Sequence, residues 1–193
     1  SSVAGEAEEE LASGGHAAIP HYFHNDAELV AGSALLIDAG AAWERYAADI
    51  TRVLPVSGRF TPRQREVYEL VLRAQAAAIA AVRPGSSFAK VDAAARKVIS
   101  DAGLGAHFIH ATCHHVGLDV HDPGPSGIEA GMTFTVEPGI YLESEGLGVR
   151  IEDIVLVTDL TIDPDADHRD RWPEVAAWLA ERYAEGAIIA SIC

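Results

Sequence analysis

Residues 61–103 read TPRQREVYELVLRAQAAAIAAVRPGSSFAKVDAAARKVISDAG, two helices in succession with strand-like sequence on either side. Thr61 is a side-chain N-cap and Pro62 suits the first helical position, where its missing N–H is no loss. Val67, Leu70, Val71 and Ala74 keep helical spacing until Pro84-Gly85 ends the run. Ser86-Ser87 opens a second helix through about Ser100. Val91, Ala94, Ala95 and Val98 line one side of it, and Gly103 terminates it. Upstream, Leu35-Leu36-Ile37 runs into Asp38-Ala39-Gly40, an apolar strand ending at a carboxylate. Tyr46 to Val56 reads as its partner in a hairpin-like pair. Downstream, Phe108 to Val120, Thr133 to Leu142 and Gly148 to Thr158 read as strands, and Trp172-Pro173 introduces a last helix with Val175, Ala176, Leu179 and Tyr183. Strands grouped either side of two adjacent helices predict an α+β fold rather than an alternating parallel sheet. Residues 1–193 read as a single domain, with no internal repeat and no linker.

Composition narrows the function classes. Half the chain is hydrophobic (49%), so it can build a core. Fourteen Lys and Arg against 29 Asp and Glu leave a net charge of −15. That balance opposes a nucleic-acid or anionic-membrane partner and suits a site holding cations. Cys113 and Cys193 cannot make a disulfide framework. No apolar run approaches the ~20 residues that span a bilayer; the longest, Ala76 to Val82, lies inside the first helix. With no signal peptide visible after the Ser-rich, acidic start, a soluble cytoplasmic protein is expected. The start at Ser1 rather than Met suggests processing or excision from a longer chain.

Two groups of residues could carry chemistry. Asp38, Asp49, Glu137 and Glu152 each end or interrupt an apolar strand. Taken singly, each acid reads as a solvent-facing residue on a half-buried strand. His110, His114, His115 and His121 crowd one stretch, while His16, His21 and His24 sit near the start. Their spacing matches neither a zinc finger nor a His-Glu-x-x-His helix. Carboxylates converging in a partly dry site cannot all stay ionised without cations. Two divalent metals would resolve that conflict and activate a water between them as nucleophile. Oxygen ligands with one imidazole favour Mn²⁺, with Co²⁺, Fe²⁺ or Zn²⁺ as alternatives.

The order Leu36-Ile37-Asp38-Ala39-Gly40, Asp49-Ile50-Thr51-Arg52, His110-x-x-x-His114, Gly117-Leu118-Asp119-Val120-His121-Asp122, Glu137-Pro138-Gly139 and Gly148-Val149-Arg150-Ile151-Glu152-Asp153 closely resembles the Xaa-Pro aminopeptidase and prolidase branch of the M24 metallopeptidases. The likeness runs from about His21 to the last helix. It implies the pita-bread α+β fold, a curved antiparallel sheet with outer helices around a dinuclear metal site. It also implies five metal ligands: Asp49 and Glu152 bridging two ions, Asp38 on one, His114 and Glu137 on the other. Glu137 would shuttle a proton, and His121 and His21 would contact the substrate or the tetrahedral intermediate. His110 and Arg150 match pocket or outer-layer positions.

The implied reaction is hydrolysis of the bond preceding proline in short peptides with proline at the second position. A Xaa-Pro dipeptidase or an impaired peptide-binding module are the alternatives. Metal-free creatine hydrolysis fits poorly, since all four acids are present, and the Gly-Val-Arg-Ile-Glu-Asp segment favours the proline-specific branch over methionine aminopeptidases. Three departures stand out. Ala111 and Cys113 replace the small Gly or Ser residues that usually flank the histidines, and Cys113 reads either as a small buried residue or as an oxidation-sensitive thiol. Gly103 to His107 is short. The family's first catalytic-domain helices do not precede Ser1. An N-terminally incomplete fold would leave one sheet face uncovered, and self-association into a homo-oligomer is expected.

Overall fold

The structure is a computed structural model that describes residues 9–26 and 28–158. The helix expected from Trp172 and the second cysteine, Cys193, lie outside the described residues. All strand pairings among the described residues are antiparallel. β1 (Glu9–Ser13), β2 (Ala34–Ala39) and β5 (Ile50–Pro55) form a sheet in the order β1-β2-β5. Between them β3 (Ala42–Trp43) and β4 (Tyr46–Ala47) make a short hairpin. The expected partner strand for β2 therefore begins at Ile50, and Tyr46-Ala47 pairs with Ala42-Trp43 instead.

Side-chain alternation decides the faces of this sheet. Ala12, Leu36 and Val53 stand opposite one another and are buried. On the other face Leu11, Leu54 and Ile50 are exposed. β1 had no sequence signal, because Glu9-Glu10 open it and Ser13-Gly14-Gly15 close it.

The segment expected as one strand over Thr133–Leu142 is two, β6 (Thr133–Val136) and β7 (Gly139–Leu142), broken at Glu137-Pro138. Gly148–Thr158 likewise divides into β8 (Leu147–Arg150) and β9 (Asp153–Leu156), broken at Ile151-Glu152. β6 pairs with β9 and β7 with β8. Each break leaves a glutamate where the chain changes partner. The Glu152 N–H donates to the Thr51 carbonyl (3.2 Å), which joins the second group of strands to β5.

α1 (Pro62–Ala80) carries the capping box implied by Thr61 and Gln64. α2 (Phe88–Asp101) ends just before Gly103, whose φ of 78° needs glycine. Val67, Leu70, Val71, Ala74 and Ala78 of α1 share one core with Val91, Ala95 and Ile99 of α2 and with Phe134, Val136, Ile140 and Val149 of the strands.

Phe108–Val120 is not a strand. After a 3₁₀ turn at Gly105–His107 it runs irregularly, because side chains take much of its backbone bonding. Arg96 donates to the Phe108 and His110 carbonyls, Asp92 accepts from Thr112 N–H, and Thr135 Oγ1 accepts from His114 N–H. The apolar and β-branched residues that suggested a strand pack beside β6 without forming a continuous ladder.

Candidate metal centre

Each predicted ligand comes from a different place in the chain. Asp38 lies within β2, Asp49 just before β5, His114 in the irregular segment, and Glu137 and Glu152 at the two strand breaks. His114 Nδ1 donates to its neighbour's carbonyl, His115 O, at 3.1 Å, so Nε2 points inward. Around Nε2 lie Glu137 Oε1 at 3.4 Å, Asp49 Oδ2 at 3.5 Å and Glu152 Oε1 at 3.7 Å. Ligand atoms of Asp49, His114 and Glu152 all fall within 4.8 Å of one another.

Glu152 tests whether a cation fits here. The residue is 1% exposed; its Oε2 accepts from Thr51 Oγ1 at 2.6 Å, yet its buried Oε1 has no hydrogen-bond partner. A buried carboxylate oxygen left this way is costly unless something positive sits against it. Carboxylates with one imidazole are a donor set suited to hard or borderline divalent ions. The residues fit a metal.

Electrostatics agree. Burial, reinforced by Glu152, pushes Glu137 up to about 8. Burial likewise lifts Asp38 to about 6, against the pull of Arg150 and helped by Glu152 and Asp49. Burial disfavours a charged His114, but Asp49, Glu152 and Glu137 outweigh it and raise the imidazole to about 10. Burial would raise Asp49, but its bonds to His114 and Asp38 hold it below the ordinary aspartate range. Without a cation, protons carry the charge compensation that a metal would supply.

Arg150, almost fully buried, connects this centre to its surroundings. It donates to Asp38, to Tyr141 Oη at 2.9 Å, to Thr51 Oγ1 at 3.1 Å and to the Pro20 carbonyl at 2.9 Å. Tyr141 Oη in turn donates to His110 Nε2 (2.8 Å), whose Nδ1–H donates to the Ala111 carbonyl (2.8 Å). Burial pushes His110 down to about 4, so the ring is neutral and that tautomer is held from both sides. His121 stacks on His114 with ring centroids 4.0 Å apart, and burial together with the His114 charge lowers its pKa.

His21 stands apart from the ligands. Its side chain is 59% exposed and faces Glu10 Oε1 at 3.2 Å, while Glu10 Oε2 lies 3.8 Å from Arg150. The 3₁₀ turn Gly14–Ala18 that leads to His21 lies against β8, where a Cβ on Gly148 would overlap the Ala17 carbonyl. Cys113 is buried and burial raises its thiol pKa, which fits the small buried residue and not a reactive thiol.

Sequence reasoning missed Glu10, Thr51 and Tyr141. Glu10 is opposite Asp38 in the β1–β2 register, and Thr51 bridges to Glu152 across about a hundred residues. Thr51 lies inside the Asp49-Ile50-Thr51-Arg52 motif and Tyr141 just past Glu137-Pro138-Gly139, whereas Glu10 adjoins no motif.

Carboxylates gathered by antiparallel strands around one imidazole form a candidate metal centre of the metallopeptidase kind. The chain belongs to metallopeptidase family M24, whose profile matches residues 6–159. It is 43% identical over 155 residues to a Xaa-Pro dipeptidase of Pyrococcus furiosus, covering 77% of this chain and 44% of that protein. To a Xaa-Pro aminopeptidase of Haemophilus influenzae it is 40% identical over 181 residues, covering 77% and 42%. The solved prolidase from Pyrococcus furiosus superposes with a TM-score of 0.75 at 40% identity, over 79% of this chain and 46% of that one. The fold is thus the α+β pita-bread fold. The chain spans less than half the length of the curated relatives it matches.

Proposed function

We propose that the chain, with two divalent cations of the Mn²⁺ class bound, hydrolyses the peptide bond preceding proline and releases the N-terminal residue. The single observation that carries the reading is the buried, unpartnered Glu152 Oε1 facing His114 Nε2 beside two further carboxylates, Asp49 and Glu137. Asp38, Asp49, His114, Glu137 and Glu152 would hold the two cations. Bound cations would polarise the scissile carbonyl and acidify water at neutral pH. Glu137 would hold and release a proton beside the reacting bond. His121, stacked on His114, would donate to the carbonyl oxygen as charge develops there. Arg150 borders the same site and ties down the Pro20 carbonyl, next in the chain to His21, which would contact the substrate from further out. A dedicated site suits Xaa-Pro bonds because proline offers no amide N–H.

We read residues 1–193 as one catalytic domain. The exposed Leu11, Ile50 and Leu54 on the outer face of the β1-β2-β5 sheet support self-association. The identity to a protein named Xaa-Pro dipeptidase supports a second reading, in which only dipeptides are cut. Mn²⁺-loaded chain should cleave a Xaa-Pro tripeptide, with cleavage abolished by chelator. Cleavage of the dipeptide alone selects the second reading, and chelator-resistant cleavage contradicts both.

A further inference from the structure

Helix α2 reaches the site without touching a metal ligand. Asp92 and Arg96 lie one turn apart on it and pair at 2.6 Å. Arg96 also donates to backbone: Nη1 to the Phe108 carbonyl (2.9 Å) and Nη2 to the His110 carbonyl (2.6 Å). Its guanidinium also lies 4.3 Å from the centre of the Phe108 ring. Asp92 Oδ1 accepts from both Thr112 N (3.2 Å) and Thr112 Oγ1 (2.8 Å). Thr112 is fully buried, and its carbonyl accepts from the Glu137 N–H at 2.8 Å. One pair of side chains thus holds residues 108, 110 and 112, a segment with no regular ladder of its own.

We infer that Asp92 and Arg96 are positioning residues for the reaction, a latch on α2 that sets the His110 ring against Tyr141 and the Glu137 backbone against the metal centre. The inference rests on the peptidase reading. A planar fork is required, because two diverging carbonyls and one carboxylate must be met at once. Lysine can satisfy only part of that set. Both side chains are partly exposed, at 28% and 38%, so their ion pair alone adds little stability. The geometry they impose is their larger contribution.

The test compares Arg96→Met, Arg96→Lys and Asp92→Asn with Lys97→Met, a control that breaks the neighbouring Lys97–Asp101 pair on the same helix. In Mn²⁺-loaded Arg96→Met, kcat for a Xaa-Pro peptide should fall about tenfold with KM within about twofold. Bound metal should stay unchanged, and Arg96→Lys should recover part of the loss. In the metal-free chain, the ¹⁵N–¹H spectrum of the His110 ring should show one Nδ1–H tautomer, replaced by an exchange-averaged signal in Arg96→Met. A wild-type kcat with an unaltered His110 signal overturns the latch, as does an equal loss in Lys97→Met. If the unsubstituted chain cleaves no Xaa-Pro peptide, the peptidase reading fails, and the ring spectrum alone decides for or against the latch.

Discussion

Glu152 is a buried carboxylate with only one of its two oxygens hydrogen-bonded. Thr51 satisfies one oxygen, and Arg150 holds Thr51 in place from behind. The other oxygen is aimed at a space shared with Asp49, Glu137 and His114. His121 borders that space through its ring stack on His114 and is not among the residues whose ligand atoms gather there. Its replacement should therefore separate chemistry from metal binding. His121→Ala should lower kcat by about 10²-fold, as expected for one donor to a developing oxyanion, while metal content is unchanged. Steady-state kinetics beside metal analysis check this, and metal loss in the variant would place His121 among the ligands. Taken singly, each acid read as a solvent-facing residue, and only the order of the acids and histidines along the chain made them legible as candidate ligands. Glu10 was not, because only the pairing of β1 with β2 brings it beside Asp38 and His21.

The helices and strands divide according to how local their signals are. α1 was readable to the residue at its start because Thr61 and Pro62 act on adjacent backbone. Its capping box has both bonds, Gln64 N to Thr61 Oγ1 at 3.2 Å and Thr61 N to Gln64 Oε1 at 2.9 Å. Thr61→Ala should cost about 1 kcal/mol in urea denaturation with an unchanged m-value, and Thr61→Ser much less. A cost near zero would mean that tertiary packing alone holds that end. The misread stretch, Phe108–Val120, has strand-like composition, but its bonding partners are the side chains of Asp92, Arg96 and Thr135. Periodicity cannot report bonds from side chains elsewhere in the chain. The same limit hid the breaks at Glu137-Pro138 and Ile151-Glu152, where each strand hands its pairing to a new partner and a glutamate faces the candidate metal centre.

Taken together, the acidic centre makes the metal-free chain sensitive to alkali. Glu137 is raised from 4.5 to about 8, Asp38 from 3.8 to about 6, and His114 from 6.5 to about 10. All three folded values exceed the unfolded ones, so the folded chain binds more protons. That stabilisation is complete below the unfolded values and is lost as pH rises through the folded ones. His110, lowered from 6.5 to about 4, acts oppositely and costs stability only as pH falls below about 6.5. The metal-free chain should therefore melt at a lower temperature at pH 9 than at pH 6.5. Saturating Mn²⁺ should remove that trend, because the cations replace the protons. A melting temperature that rises with pH in the absence of metal would reverse the assignment of these shifts. The most direct measurement is the number of Mn²⁺ ions retained per chain after equilibration and removal of excess metal, in the unsubstituted protein and in Glu152→Gln. Two ions per chain, with both lost in Glu152→Gln, is the predicted result; no stoichiometric binding, or the same count in both proteins, contradicts it.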